Sequence, residues 1–308
     1  MPVMTQRLHR RSERGYALLL VLWVLAVMSA FAITVAKMAN SNVKATEYLL
    51  EEMSSQNQLR SGFNFMVAHL QGPPGLGSES KYRAIRGEDL GWWLVQMAPW
   101  RAEKLAVDPG QSLADLPEVA GAYYCEIRAE DAKLPLQRLD KEILENLQTL
   151  SHSQVEQLAA TIKLKTLKKE PLSLYELAAD SALDTKTLFG DKDTFGLAEV
   201  VTPFSSGKVY LNGASQEILA LLPQVGDVVA REIVERIAYG HPFEKVDDLH
   251  QVLGVTPKMY KSLKDWVTVK PEYYQLKIVN AEGTQRGEIE GIVRVGAEAP
   301  EVVFIKEG

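Results

Sequence analysis

The sequence predicts an α+β protein: a long N-terminal helix, an antiparallel sheet, and a large all-α insertion that interrupts the sheet. Three observations carry this. An uncharged run passes into an amphipathic pattern with no breaker between them. Strand-patterned segments lie on either side of a helix-patterned block, the mark of one domain inserted in another. The block itself contains a degenerate repeat.

The first element is the helix. From Tyr16 to Ala36 no residue is charged, 21 in all. At ~1.5 Å per residue the run spans roughly 30 Å, the depth of a hydrocarbon core. Arg7, Arg10, Arg11 and Arg14 precede it, partly offset by Glu13, and only Lys37 and Lys44 follow closely. That bias keeps the N-terminus cytoplasmic and sends the rest of the chain outward. Leu59, Phe63, Met66, Val67 and Leu70 then recur at three- and four-residue steps, an apolar stripe on a polar helix. No proline or glycine interrupts Tyr16 to Ser61. One helix to about Leu70 would therefore run roughly 80 Å, and Gly72-Pro73-Pro74-Gly75-Leu76-Gly77 ends it. An ordinary secretory signal, cut near Ala30-Phe31-Ala32, and a plain uncleaved anchor are the alternatives. The apolar run is long for such a signal and continues through Ile33, Val35 and Ala36.

Next comes a short region with Trp92, Trp93 and Trp100, read as core or interface aromatics. Strands are predicted at Tyr123–Ala129, Tyr274–Asn280, Glu288–Val295 and Val302–Lys306. Between them, from about Glu130 to Pro271, the pattern is helical. Within this block Leu136–Ile162 aligns without a gap on Leu211–Ile237. Glu142-Ile143-Leu144 falls on Glu217-Ile218-Leu219, and Leu147 on Leu222. Similar tails follow at Pro171 and Pro242. Two related helical units packed together are expected.

The second unit, "LLPQVGDVVAREIVERI", has a helix ending near Leu222, a turn at Pro223 and Gly226, and a helix turning Ala230 and Ile233 inward. It resembles the helix-hairpin-helix motif, as does the segment around Gly254 that follows. Between Val209 and Lys270 seven basic and eight acidic side chains leave a charge of −1. Phosphate contacts need an excess of cations, and Asp227 sits where a phosphate would approach. The second turn, Gly254-Val255-Thr256, lacks the second glycine of the usual Gly-x-Gly. A packing role is favoured over nucleic-acid binding.

The chain's formal charge of −6 and pI near 5.6 agree. The single cysteine, Cys125, lies in an apolar stretch and reads as a buried small side chain. His9, His69, His152, His241 and His250 show no ligand spacing, and no nucleophile elbow, P-loop or zinc pattern occurs. Catalysis is not expected.

The opening residues carry a further resemblance. A basic stretch ending in Gly15, with the apolar helix starting at Tyr16, resembles the type IV pilin-like leader cut by prepilin peptidase after the glycine. The cut removes the charged head and leaves the helix. Pilins of this kind usually carry glutamate at the fifth mature residue; here that position is Leu20. Leader, missing acid, split sheet and hairpin repeat together resemble the K-type minor pseudopilins of type II secretion, the GspK family.

The resemblance implies a pilin-like sheet, N-methylation of Tyr16, and a structural role in starting and capping the pseudopilus during export of folded proteins. Partners would be the I- and J-type minor pseudopilins, the major pseudopilin, prepilin peptidase and the inner-membrane assembly platform. The protein would cross the inner membrane of a Gram-negative bacterium once, with its bulk in the periplasm. Association is expected along helix flanks that include Leu59, Phe63, Met66, Val67 and Leu70. The segments are then a leader at 1–15, a helix at 16–71 (membrane part 16–36), a pilin-like α/β domain at 72–130 and 272–308, and a helical insertion at 131–271. The insertion's units cover about 131–203 and 209–271. Family members can hold calcium in an acidic loop. Here Asp184, Asp191, Asp193 and Glu199 are the weak candidates, and no metal or other cofactor is assigned. A membrane-tethered competence DNA receptor, ComEA-like, is the alternative function.

Overall fold

The computed structural model describes residues 5–70, 90–97, 100–106, 116–147, 149–168, 170, 172–181, 183–190, 195–280, 287–296 and 299–307. The elements in chain order begin with α1 (Thr5–Leu70), β1 (Gly91–Met97), β2 (Trp100–Lys104), β3 (Ala122–Ala129) and β4 (Leu134–Pro135). Helices α2 (Lys141–Asn146), α3 (His152–Lys168), α4 (Leu174–Asp180), α5 (Thr185–Phe189) and α6 (Leu197–Val200) follow. After β5 (Val201–Thr202) and β6 (Val209–Tyr210) come α7 (Gln216–Ala220), α8 (Gly226–Ala238) and α9 (Pro257–Leu263). The chain ends with β7 (Val267–Thr268), β8 (Tyr273–Asn280), β9 (Glu288–Arg294) and β10 (Glu301–Glu307). The glycine-proline breaker after Leu70 lies outside the described residues.

The chain forms two compact units, Met1–Gln58 and Leu59–Gly308. The first is the upstream part of α1. Its apolar side chains, Leu18, Trp23 and Phe31 among them, are exposed along the described length.

In the second unit, six strands form an antiparallel sheet in the order β10-β9-β8-β3-β1-β2. The last turns of α1 cover one face of it. Leu59, Phe63, Met66 and Leu70 are buried against Val95, Cys125, Ile127, Leu276, Ile278, Ile289 and Val293. The helix repeat puts those four residues on one side of α1, and the strand repeat does the same for their partners. Burial pushes the Cys125 thiol up, so it stays protonated and inert. The strands match the expected ones to within a residue or two at each end, and β1–β2 is an additional hairpin. Its aromatic run does not alternate because both faces are covered there: Trp93 packs beside the helix, and Trp92 lies with Tyr124, Leu105 and Leu116 on the other side.

The C-terminal strand β10 is an edge strand with a bulge between Val302 and Phe304. Arg60 clamps its end, donating two hydrogen bonds of 2.7 Å to Glu307. That contact holds the Glu307 carboxyl below its ordinary value. A depressed carboxyl stabilises the fold above its unfolded titration range and loses this effect as pH falls through the folded value. Glu307→Gln is therefore expected to lower the denaturation midpoint at pH 7. The gap to the parent chain should close as pH falls through the folded titration range of that carboxyl.

Strands β3 and β8 are neighbours in the sheet, yet the whole helical insertion lies between them in sequence. Its two halves share one construction. Strand β4 pairs in parallel with β5, and β6 in parallel with β7. Asp140 caps α2 through Ile143 N–H at 2.9 Å, and Ser215, at the aligned position, caps α7 through Ile218 N–H at 3.4 Å. Buried Leu144 and Leu158 correspond to buried Leu219 and Ile233, all within a single apolar core. The closing strands are stapled by Arg138. Its guanidinium donates to the Gly207 and Asp265 carbonyls at 3.0 and 2.6 Å and lies 3.8 Å from the Trp266 ring centre.

Candidate functional site

Gly15 and Tyr16 lie within the helical run of α1, and the Tyr16 and Leu20 side chains are exposed. Among the described residues, α1 is the one helix long and apolar enough to cross a membrane.

The five assembly candidates divide differently from expectation. Leu59, Phe63, Met66 and Leu70 are buried by the chain's own sheet, and part-buried Val67 packs on the same cluster. They are corrected from association flank to core. An amphipathic stripe shows that a helix face is covered, not which chain covers it. Further up α1, Tyr48, Leu49, Leu50 and Met53 remain exposed.

The helix-hairpin-helix residues lie in two turns. Helix α7 ends at Ala220, and the turn through Pro223 leads to Gly226 at φ 64°. The second turn places Gly254 at φ 88°, where an added Cβ would lie 3.1 Å from Val229 Cγ2. The two turns therefore sit side by side. Their exposed surface carries Val228 (72% exposed), Leu253 (75%) and Asp227 in the first turn of α8. Apolar and acidic groups occupy the place where phosphate would dock, so the surface suits backbone anion binding poorly.

Of the weak calcium candidates, Asp184 is occupied as the cap of α5. It accepts from Thr187 N–H at 2.7 Å, and hydrogen bonding to Thr187 holds its carboxyl below the ordinary range. Glu199 is exposed on α6. Asp191 and Asp193 lie outside the described residues. Among the described residues no group of three or more histidine, cysteine or carboxylate side chains could hold a metal.

Two residues with special roles escaped the sequence reading. Gln224 has φ 67° and is the only non-glycine residue with positive φ among those described. It takes the first glycine's place in a Gly-x-Gly turn, and that offset from Gly226 was the available signal. Asp131 is wholly buried. Its Oδ1 accepts from Ser205 Oγ and Ser206 N–H at 2.9 Å and from Ser206 Oγ at 3.2 Å. Its Oδ2 accepts from Glu272 N–H at 2.7 Å and Tyr273 N–H at 3.0 Å. No local pattern marks it, because its donors come from distant segments.

These features define an α+β protein with one apolar N-terminal helix, an antiparallel sheet and a helical insertion containing a helix-hairpin-helix. Comparison with known proteins agrees for the helix-hairpin-helix. Residues 205–268 match the helix-hairpin-helix motif family, a span that covers the second repeat unit. None of the curated proteins matches the sequence. Among solved structures, the chain is similar to one in the GspK-GspI-GspJ complex from the enterotoxigenic Escherichia coli type 2 secretion system. The identity is 14% and the TM-score 0.49, covering 86% of this chain and 98% of that one. A likeness at this level carries no argument about function.

Proposed function

We propose that the protein is a K-type minor pseudopilin that helps initiate and cap the pseudopilus of a type II secretion system. One observation carries the reading: a basic head ends at Gly15, and directly behind it starts a helix that is apolar for a membrane's depth, lacks an acid at Leu20, and finishes as the core of an antiparallel sheet. A disposable signal has no need of that continuity.

In this reading the chain spans the inner membrane and its bulk lies in the periplasm. Prepilin peptidase cleaves between Gly15 and Tyr16 and methylates the new amine. Glycine eases local unwinding of the helix for the cut, being about 1 kcal/mol poorer than alanine in a helix. Leucine at position 20 leaves no carboxylate for a neighbour's N-terminal ammonium, which suits a subunit with none stacked above it. Partners are the I- and J-type minor pseudopilins, the major pseudopilin and the assembly platform, met along exposed upstream α1. The insertion acts by shape, without catalysis or a required cofactor.

Intact-mass analysis of protein from a host carrying prepilin peptidase tests this. The expected product starts at Tyr16 and bears one added methyl group, and Gly15→Leu stays full-length. A mature N-terminus near Ile33 means an ordinary signal, and an uncut parent chain means a plain anchor; either defeats the proposal. The helix-hairpin-helix match keeps the DNA receptor as the second reading. Its charge of −1 over Val209–Lys270 argues against it, and micromolar, salt-dependent binding of duplex DNA would reverse that preference.

A further inference from the structure

A groove of about 840 Å³ opens between the two halves of the insertion. Aligned positions of the repeat face into it: Glu142 and Leu147 from the first half, Glu217 and Leu222 from the second. Its lining contains four carboxylates and one ammonium, that of Lys186. Asp140 is engaged in capping α2, whereas Glu142, Glu217 and Asp227 are exposed and have no ion-pair partner among the described residues. The left-handed Gln224 stands at the same opening. Strain held in a non-glycine residue is concentrated where a protein needs a particular side chain.

We propose that this groove docks a short cationic segment of a partner protein. Aliphatic side chains of that segment settle against Leu147 and Leu222, and its lysines or arginines meet Glu142, Glu217 and Asp227. The Gln224 amide hydrogen-bonds the segment's backbone. Charge selects the occupant. An acidic rim repels nucleic acid and acidic peptides, and among the described residues no three carboxylates converge to hold a metal ion. The groove does not depend on the fate of the leader, so failed processing and failed docking can be told apart.

The full chain in neutral detergent can be titrated with two rhodamine-labelled octapeptides, one alternating lysine with leucine and one alternating glutamate with leucine. Fluorescence anisotropy should show saturable binding of the lysine peptide, with affinity at least about tenfold above that of the glutamate peptide. Glu142→Lys with Glu217→Lys should weaken the lysine peptide about tenfold or more. Both sites are exposed, so circular dichroism should be unchanged. Gln224→Gly relieves the strained φ, so it should keep or raise stability while weakening binding about threefold. Equal binding of the two peptides, or binding insensitive to the double charge reversal, overturns the proposal. A Gln224→Gly chain that binds as tightly as the parent removes Gln224 from it.

Discussion

Asp131→Ala is expected to destabilise the protein by about 4 kcal/mol, among the largest single-residue effects in the fold. This carboxylate is fully buried and meets no cation among the described residues; five donors hold it. Removing it strands the N–H groups of Ser206, Glu272 and Tyr273 and two serine hydroxyls, on residues that are part-buried or, for Ser206, exposed. Hydrogen bonds to a charged group contribute roughly 1.5–3 kcal/mol each but do not add fully. The site joins the chain leaving the sheet after β3, the loop entering the second repeat, and the chain returning into β8. Its loss should therefore loosen the attachment of the insertion before it melts the sheet. Urea denaturation of the full chain in detergent measures the total, and hydrogen exchange at Glu272 and Tyr273 locates it. Asp131→Asn, which keeps one acceptor oxygen, should cost about half as much. A loss below about 1 kcal/mol for alanine would show that water replaces the network.

Gly291→Val is expected to cost about 3 kcal/mol and to lift the end of α1 from the sheet. Even a bare Cβ at this position would lie 2.4 and 2.6 Å from Phe63 ring carbons and 3.1 Å from the Phe304 carbonyl oxygen. Neither neighbour yields easily. Phe63 is 1% exposed, and the Phe304 carbonyl belongs to β10, paired with β9. Exchange of α1 amides beyond Leu59 should rise while those of α8 stay protected. Gly291→Ala combined with Phe63→Leu should cost less than the sum of the two alone, because the smaller side chain vacates the contested space. Strict additivity would mean that the ring had moved aside.

The sequence predicted elements wherever one element's own pattern carried the information. The apolar stripe from Leu59 to Leu70 is a helical period, and Tyr274–Asn280 is a strand between turn signals; both lie close to the observed elements. The repeat was legible because Leu144 and Leu219 are buried for the same local reason, beneath the first turn of a capped helix. The β1–β2 hairpin was not legible. Trp92 and Trp93 are covered on opposite faces, which erases the alternation that marks a half-buried strand. Gly15, Tyr16 and Leu20 stand out only as sequence, since in the fold they are positions on an exposed helix.

By itself, then, the sequence determined the element types, the unbroken helix behind a basic head, and the absence of a cationic surface on the helix-hairpin-helix unit. Each follows from residue period or net charge over a short span. Only the tertiary structure decided that the Leu59–Leu70 stripe is spent on the chain's own sheet, that Asp131 ties the insertion to its stem, and that two acidic edges enclose one groove. Each of these depends on which distant groups meet, and neither period nor composition encodes a meeting between residues far apart in the chain.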